Sequence, residues 1–270
     1  MELKNKLSIL YYDGTSYTDN SNEAADFKRD SFSANIIAGS DYIYVGYEKF
    51  INALYVHMVT PNVNIADLTM EYYSETGWKS LEICDETNGL TRNGFVTWER
   101  QTDGANTIVN GKEQCWFRIA VSADTSAVEF QGINLIFSDD NSISDYEPGL
   151  LDDCFYPNGQ TSHILRHVAA RNYIMSVLTI KADKNSDSKI DYWDILDIYE
   201  LREAANYYAI SQIYFNLSDD PEDQYWAKYL DYRQKFDKMF ELGSPLIDLN
   251  NNGQVEVGEK VSVKTSRWSR

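Results

Sequence analysis

The sequence predicts an α+β multidomain protein, in which an N-terminal antiparallel β-sandwich is followed by a C-terminal helical bundle with EF-hand-like loops. Three observations predict it: short alternating apolar runs in the first half, longer runs with helical spacing in the second half, and two acidic loops with calcium-type spacing. The length of 270 residues suits two cores, because domains cluster near about 100 to 150 residues.

Five segments are predicted in order along the chain. Residues 1–40 form an N-terminal arm or edge segment, rich in Ser, Asn and Asp, with one opening strand in LSILYY. The sandwich follows at 41–145 and an acidic, turn-rich linker at 146–160. The helical bundle takes 161–245, and 246–270 hold a calcium-type loop and a basic tail.

The sandwich is predicted from six short runs rich in β-branched and aromatic residues: YIYVGY, ALYVHMVT, LTMEYYS, FVTWE, CWFRIAVS and INLIFS. Turn-forming segments such as ETG, ETNG, DGAN and VNGK separate them, which is typical of antiparallel strands. Five aromatic residues in these runs could stack on sugars: Trp78, Trp98, Trp116, Tyr72 and Tyr73. Because alternate strand residues must fill a core, we expect most of them to lie inside.

Three helices are predicted in the second half. TSHILRHVAARNYIMSVLTI begins after a cap at Thr161 or Ser162. DYWDILDIYELREAANYYAISQIYFN has amphipathic spacing over about 26 residues. Its apolar stripe is Ile195, Ile198, Leu201, Ala205, Tyr208 and Ile213. PEDQYWAKYLDYRQKFDKMFELG starts with Pro221 and acidic residues and stops at Gly243, so the second half reads as a small bundle built on an antiparallel helix hairpin.

Two loops carry the oxygen ligands of a calcium site. An EF-hand loop supplies ligands from positions 1, 3, 5, 7, 9 and 12 and turns at a glycine in position 6. DLNNNGQVEVGE fills these positions with Asp248, Asn250, Asn252, Gln254, Glu256 and Glu259, and it turns at Gly253. DKNSDSKIDYWD fills them with Asp183, Asn185, Asp187, the carbonyl of Lys189, Asp191 and Asp194. This earlier loop has Ser188 in place of the glycine and a short final carboxylate, so we expect it to bind calcium more weakly.

Acidic loops also have structural roles without a metal. Asn and Asp side chains often form Asx-turns or helix caps, and Asp191 could simply cap the long helix. The later loop is followed by KVSVKTSRW, which alternates like a strand, so it lacks the exit helix that a regulatory EF-hand needs. Structural calcium is therefore expected rather than a calcium switch.

Calcium is expected to raise the melting temperature of the protein. A ligand present at 100 times its dissociation constant adds about 2.7 kcal/mol to the free energy of unfolding. Calorimetry in chelator and in millimolar calcium measures this shift. The double substitution Asp248→Ala and Glu259→Ala should abolish it, whereas an unchanged melting temperature in the wild-type protein would refute calcium binding.

Composition excludes several classes of function. The chain holds 42 acidic and 24 basic residues, and its net charge of -18 repels nucleic-acid backbones and anionic membranes. The opening apolar run is too short for a signal peptide, and no stretch is long enough to span a membrane. Cys84, Cys115 and Cys154 have no CxxC spacing, so we expect buried free thiols rather than disulfides or zinc ligands.

No catalytic or nucleotide motif is present, so the chain is not predicted to be an enzyme. His163 and His167 lie four residues apart on one helix face, where packing or capping is favoured over a transition metal. In contrast, the C-terminal tail is basic, with Lys260, Lys264, Arg267 and Arg270 and no acidic residue after Glu259. We expect this tail to dock on an acidic neighbouring copy, the alternative being a solvated terminus.

Two segments resemble known bacteriophage proteins. The run KIDYWDILDIYELREAANYYAISQIYFNLSDDPEDQYWAKYLDYRQKF, with a DxNxNG loop after it, resembles the head-tail connector (adaptor) proteins of tailed bacteriophages. The stretch GWKSLEICDETNGLTRNGFVTWERQTDG, followed by CWFRIAV, resembles a β-sandwich module of phage neck, baseplate and tail proteins. Together these segments fall between about residues 40 and 260.

The resemblance implies a structural protein of the virion, made in the host cytoplasm. It implies a homo-oligomeric ring, commonly a dodecamer, between the portal protein and the tail or neck proteins, with DNA only as passing cargo. A baseplate or tail-fibre attachment protein stays open, because connectors are often helical only. A secreted carbohydrate-binding β-sandwich with a dockerin-like calcium module is the rival, although its loops would lie closer together. A glycoside-acting enzyme comes third.

Overall fold

The structure is a computed structural model that describes residues 7–25, 27–28, 30–157, 159–182, 190–242 and 247. The chain divides into two compact units, and the division falls between Leu135 and Ile136. The first unit is built from β-strands, and the second from helices and turns. No helix in the described ranges is long and apolar enough to cross a membrane.

The first unit is built from strands, of which Leu68–Ser74 alternates between buried and more exposed residues as the pleat of a sheet requires, whereas Tyr42–Tyr47 is buried almost throughout. The strands are β1 Ser8–Tyr12, β2 Tyr17–Asp19, β3 Phe32–Ala34, β4 Tyr42–Tyr47, β5 Ala53–Thr60, β6 Leu68–Ser74, β7 Gly77–Leu81, β8 Ile83–Asp85, β9 Gly94–Trp98, β10 Asn106–Val109, β11 Lys112–Val121 and β12 Val128–Asn134. The β10–β11 connection is a two-residue turn, in which Asn110 and Gly111 both have positive φ, at 48° and 76°. This is the two-residue hairpin that the Asn-Gly pair favours.

The strands form two antiparallel sheets. The first sheet has seven strands in the order β2-β1-β4-β11-β6-β7, with β10 paired to β11. The second sheet has five strands in the order β3-β12-β5-β9-β8. The segment 1–40, predicted as an arm or edge segment, supplies β1 and β2 to one side of the first sheet and β3 to the edge of the second.

The inner faces of the two sheets pack against each other and form the sandwich core. Trp98 of β9 contacts Phe117 of β11 with ring centroids 5.2 Å apart. The indole N–H of Trp98 donates to the carbonyl oxygen of Ile51 at 2.9 Å, so its one polar group is satisfied inside. Ile43, Val45 and Val96 are almost completely buried in the same unit. The predicted antiparallel β-sandwich is consistent with this architecture.

The second unit holds one short and three long helices. They are α1 Asp140–Ser144, α2 Ile164–Ala182, α3 Tyr199–Leu217 and α4 Gln224–Leu242, with 3-10 turns at Pro148–Leu151, Asp153–Phe155 and Tyr192–Asp194. Ser162, one of the two predicted caps of α2, accepts a hydrogen bond from the backbone N–H of Ile164 at 3.0 Å. The helices α3 and α4 pack together and are joined by an acidic turn.

The predicted fold class is wrong in its second half. The described chain consists mostly of two antiparallel sheets with a few C-terminal helices, rather than a sandwich followed by a helical bundle. The long predicted helix begins only at Tyr199, because residues 192–194 form a 3-10 turn in which Asp191 and Asp194 bond to backbone N–H groups. In place of a further long bundle helix, Ile143 of the short helix α1 and Leu150 of a 3-10 turn pack on α3 and α4.

The cysteine expectation is confirmed at one position and wrong at two. Cys115 is a buried free thiol on β11, and burial raises its pKa to about 11. Cys84 and Cys154 are free but exposed, because one lies on the three-residue edge strand β8 and the other in a 3-10 turn.

Candidate functional site

Most residues of the two predicted calcium loops lie outside the described part of the chain. This holds for Asp248, Asn250, Asn252, Gln254, Glu256, Glu259, Asp183, Asn185, Asp187 and Lys189. It also holds for the basic tail residues Lys260, Lys264, Arg267 and Arg270. Over the described ranges, the structure brings together no group of three or more His, Cys, Asp or Glu side chains that could hold a metal ion.

Asp191 and Asp194 are the two predicted ligands that the structure describes, and both act as caps. The carboxylate of Asp191 accepts from the backbone N–H of Trp193 at 3.3 Å. The carboxylate of Asp194, buried to 1% exposure, accepts from the backbone N–H of Asp191 at 2.8 Å. This reciprocal pair is a capping box. Asp191 therefore caps a 3-10 turn, rather than the long helix that the sequence suggested as its alternative role.

His163 and His167 are buried and hydrogen-bonded to α1 and its neighbours. His167 contacts Ser138 Oγ through Nδ1 at 2.8 Å and Asp140 Oδ1 through Nε2 at 3.1 Å. His163 Nε2 contacts the carbonyl oxygen of Leu150 at 2.8 Å, and burial holds the pKa of His163 below its ordinary value. Ser138 and His167 have no exposed surface, so this Ser-His-Asp arrangement cannot receive a substrate and serves packing.

One side of the helix hairpin α3–α4 is sealed by tyrosines around a charged pair. Lys228 Nζ lies 2.9 Å from Glu147 Oε2 and 2.9 Å from the hydroxyl of Tyr214. The hydroxyl of Tyr232 donates to Glu147 Oε1 at 2.9 Å. Burial alone would raise the pKa of Glu147, but the hydrogen bonds from Lys228 and the tyrosines hold it below its ordinary value. Glu147 is therefore ionised at neutral pH and holds the turn segment against the hairpin.

A second group of aromatic residues joins α2 to the same hairpin. The guanidinium of Arg233 on α4 lies 4.7 Å from the ring of Tyr173 and 5.2 Å from that of Tyr208. Tyr173 and Tyr208 are themselves stacked, with ring centroids 4.5 Å apart. Arg233 also donates to the hydroxyl of Tyr173. Such stacked cation–π contacts make the three helices a fixed platform.

Near the turn between α3 and α4, the hairpin has an aromatic surface that is not covered by the Glu147 and Arg233 clusters. We call it the hairpin tip, and it consists of Phe215 on α3 with Trp226, Tyr229 and Leu230 on α4. The ring of Phe215 lies 5.3 Å from that of Tyr229 and 6.2 Å from that of Trp226. Phe215 is 48% exposed and Leu230 is 50% exposed. Rings packed on one another yet open to water are typical of a surface that binds a partner.

Carboxylates surround the tip at the turn between the helices. This turn carries Asp219, Asp220, Glu222 and Asp223. Asp223 accepts from the backbone N–H of Trp226 at 2.6 Å and from that of Asp219 at 3.0 Å. These hydrogen bonds lower the pKa of Asp223, so this carboxylate stays ionised over the physiological range. The tip is thus an aromatic surface beside a dense negative charge.

Sequence reasoning missed the hairpin tip. Of the stripe predicted for the long helix, Ile195, Ile198, Leu201, Ala205 and Ile213 are buried as expected, whereas Tyr208 is half-buried. Phe215 lies two residues beyond Ile213 and therefore points away from that stripe. An aromatic residue on the polar side of an amphipathic helix was the available signal.

No protein-family model and no curated protein matches this chain. Among solved structures, the chain is similar to a family 89 glycoside hydrolase from Clostridium perfringens in complex with PUGNAc, with 11% identity and a TM-score of 0.26. A second structure of that enzyme, with an iminosugar, gives 10% identity and a TM-score of 0.27. These matches cover 64% and 65% of this chain, which spans only 20% of the length of either structure. Scores this low establish neither a shared fold nor a shared activity.

Proposed function

We propose that this protein is a structural component of a tailed-bacteriophage virion, a head-tail connector or adaptor whose copies form a ring through the hairpin tip. The resemblance of the run 189–236 to connector proteins supports the proposal. Within that run, α3 is rich in alanine and aromatic residues, an acidic turn follows, and α4 carries Lys and Tyr. The connector proteins that the run resembles have these elements in the same order.

The observation that carries the proposal is the exposed aromatic tip. Burying apolar surface contributes roughly 25 cal/mol per Å² to the free energy of association. Phe215 and Leu230 are half-exposed, so a partner that covers them gains this stabilisation. Trp and Tyr are also the residues most enriched at the energetic centres of interfaces. The hairpin supplies both on a platform already fixed by Arg233 and Glu147, so little conformational entropy is lost on association.

The charge of the chain is compatible with this role. Carboxylates beside the tip repel DNA phosphates, so a ring of these turns would let DNA pass without retaining it. The basic tail residues predicted from sequence carry the complementary charge for the acidic turn of a neighbouring copy. Calcium at the acidic loops would then be structural, with no part in association.

The test is the assembly state of the full-length protein in mass photometry and negative-stain class averages. The wild-type protein should form rings, and the double substitution Phe215→Ser with Trp226→Ser should convert them to monomers. Replacing one residue at the energetic centre of an interface costs about 2 kcal/mol or more of binding free energy. This corresponds to a loss of about thirtyfold in the affinity of each contact between copies. Circular dichroism should show that the variant remains folded.

Tyr199→Ser is the matched control. Tyr199 is 40% exposed and lies at the other end of α3, so its removal should leave rings intact. A wild-type protein that stays monomeric at all concentrations would refute the ring. Rings that persist in the double variant would place the contact elsewhere on the chain.

A further inference from the structure

The outer face of the first sheet carries an array of aromatic side chains, which we call the aromatic face. Antiparallel register places residues of neighbouring strands side by side on one face. One row runs Leu10, Tyr44, Arg118 and Glu71 across β1, β4, β11 and β6. The flanking rows hold Tyr17, Tyr12 and Tyr42 on one side, and Trp116, Tyr73 and Trp78 on the other.

This face is turned away from the sandwich core. Successive residues of a strand point to opposite faces, and Phe117 and Ile119 of β11 point inward to the second sheet. Trp116 and Arg118 therefore point outward. Trp116 and Tyr44 form a buried floor, whereas Tyr17 is 37% exposed and Tyr42, Tyr73 and Trp78 are partly exposed.

Arg118 holds the centre of the aromatic face rigid. Its guanidinium lies 4.5 Å from the ring centroids of both Tyr42 and Trp78, and so stacks with both rings. Its Nε donates to Glu71 Oε2 at 2.6 Å. Tyr73 and Trp78 pack edge to face with centroids 5.4 Å apart. The rings thus stand in fixed orientations before any ligand arrives, which lowers the entropy lost on binding.

Charges on the aromatic face are paired, although the chain as a whole carries -18. Arg118 pairs with Glu71, and Lys112 at the rim pairs with Asp19 at 2.8 Å. Each pair is electrically neutral but still offers donors and acceptors at its edges. A flat aromatic surface interrupted by neutral hydrogen-bonding groups suits a ligand that is itself apolar on its faces and hydroxylated at its edges.

We infer that the aromatic face binds a neutral oligosaccharide. The C–H faces of pyranose rings would stack on Trp78, Tyr42 and Tyr17, and the ring hydroxyls would bond to the Arg118–Glu71 pair. The face crosses six strands, roughly 24 Å at the usual strand spacing of about 4.8 Å, so it fits a chain of several sugars rather than one.

Other partners fit this face less well. Nucleic acid and anionic lipid need unpaired positive charge, and both cations on the face are paired. A second copy of the chain would bury the Arg118–Glu71 ion pair at the centre of the face, and removing such a pair from water costs free energy. Among the described residues of the first unit, the exposed large aliphatic side chains lie off this face. Ile37, Val63 and Ile65 are in loops, Val59 is on β5 of the second sheet, and Ile108 points to the opposite side of β10 from Val109, which packs with Trp116 and Tyr44.

Titration calorimetry on the full chain with cellohexaose, maltohexaose, chitohexaose and xylohexaose tests the inference. At least one should bind with a tryptophan fluorescence change. Trp78→Ala and Tyr42→Ala should each weaken that binding by at least about tenfold. Arg118→Lys keeps the charge but loses the planar stack, and it should also weaken binding while the sheet stays folded.

Tyr199→Ala is the matched control, because it removes an exposed ring from the other unit, away from the hairpin tip, and should leave both binding and assembly unchanged. Three outcomes would overturn the inference. They are no binding of any of the four sugars at millimolar concentration, binding that survives both aromatic substitutions, and a change of oligomeric state in Trp78→Ala without any saccharide binding.

Discussion

Replacing Gly89 with alanine is expected to destabilise the β-sandwich by roughly 2 to 5 kcal/mol, enough to unfold much of the protein. Gly89 lies in the β8–β9 loop with φ of +67°, in the left-handed region where a side chain is strained. Its neighbours Asn88 and Leu90 also have positive φ, so the strain cannot be relieved locally.

The clash at Gly89 is with backbone and not with a movable side chain. A Cβ at this position would fall far inside the van der Waals distance of the carbonyl oxygen of Ala66. The loop cannot shift away, because Asp85 Oδ2 accepts from the N–H of Gly89 at 2.8 Å. On the other side, Asn62 Nδ2 donates to the carbonyl oxygen of Gly89 at 3.0 Å. Loss of the loop would release β8 and β9 from the second sheet.

Gly111→Ala separates strain from clash. Gly111 has φ of +76° in the β10–β11 turn, but nothing lies within 4 Å of a Cβ built there. This control should cost only about 1 to 2 kcal/mol, the strain of the left-handed conformation. For both variants, the free energy of unfolding is measured by urea denaturation and by the hydrogen exchange of β5 and β9 amides. Equal losses for Gly89→Ala and Gly111→Ala would contradict the close approach to Ala66.

The second large effect is expected at Tyr232, where alanine should destabilise the helical unit by about 3 to 5 kcal/mol. Tyr232 is 6% exposed and its ring packs on that of Tyr214, with centroids 6.1 Å apart. The same ring lies 6.0 Å from that of Tyr207. Removing it opens a cavity in the cluster that holds Ile143 and Leu150 against the hairpin.

Tyr232→Phe tests how much of this comes from the hydroxyl. The phenylalanine keeps the ring and loses only the hydrogen bond to Glu147. Because Glu147 retains Lys228, the loss should be about 1 to 2 kcal/mol. Hydrogen exchange of α3 amides gives the free energy of unfolding of the helical unit for each variant. A phenylalanine variant as unstable as the alanine variant would assign the stability to the hydrogen bond rather than to packing.

Local features of the fold could be predicted from the sequence. The strands follow from alternation and turn residues, since a pleated strand needs only its own residues to alternate. The Asn110–Gly111 turn and the start of α4 after Asp223 follow from side chains that act on their own backbone. The helical bundle could not be excluded in this way, because the break before Tyr199 depends on the capping box of Asp191 and Asp194.

The candidate surfaces were less predictable. The five aromatic residues considered for sugar stacking all lie in strand-like runs, so the sequence does not distinguish the buried ones from the exposed ones. The structure places Trp98 and Tyr72 inside, buries Trp116 under the outer face, and leaves Tyr73 and Trp78 partly exposed. Both Tyr72 and Tyr73 lie on β6, so one residue of shift in pairing would exchange their positions. The register of β6 depends on its pairing with β11 as well as with β7, and β11 is distant in sequence.

By itself, the sequence determined the acidity of the chain, the main strands of the sandwich and the turn residues between them, because these depend on residues close along the chain. Only the tertiary structure decided which aromatic side chains share a face with Arg118 and Glu71. It also decided which aromatic side chains of the helix hairpin, such as Phe215 and Trp226, are open to solvent. The physical reason is that the burial of a side chain depends on which elements pack together. Strand β11 pairs with β4 and β6 only once the whole sheet has formed.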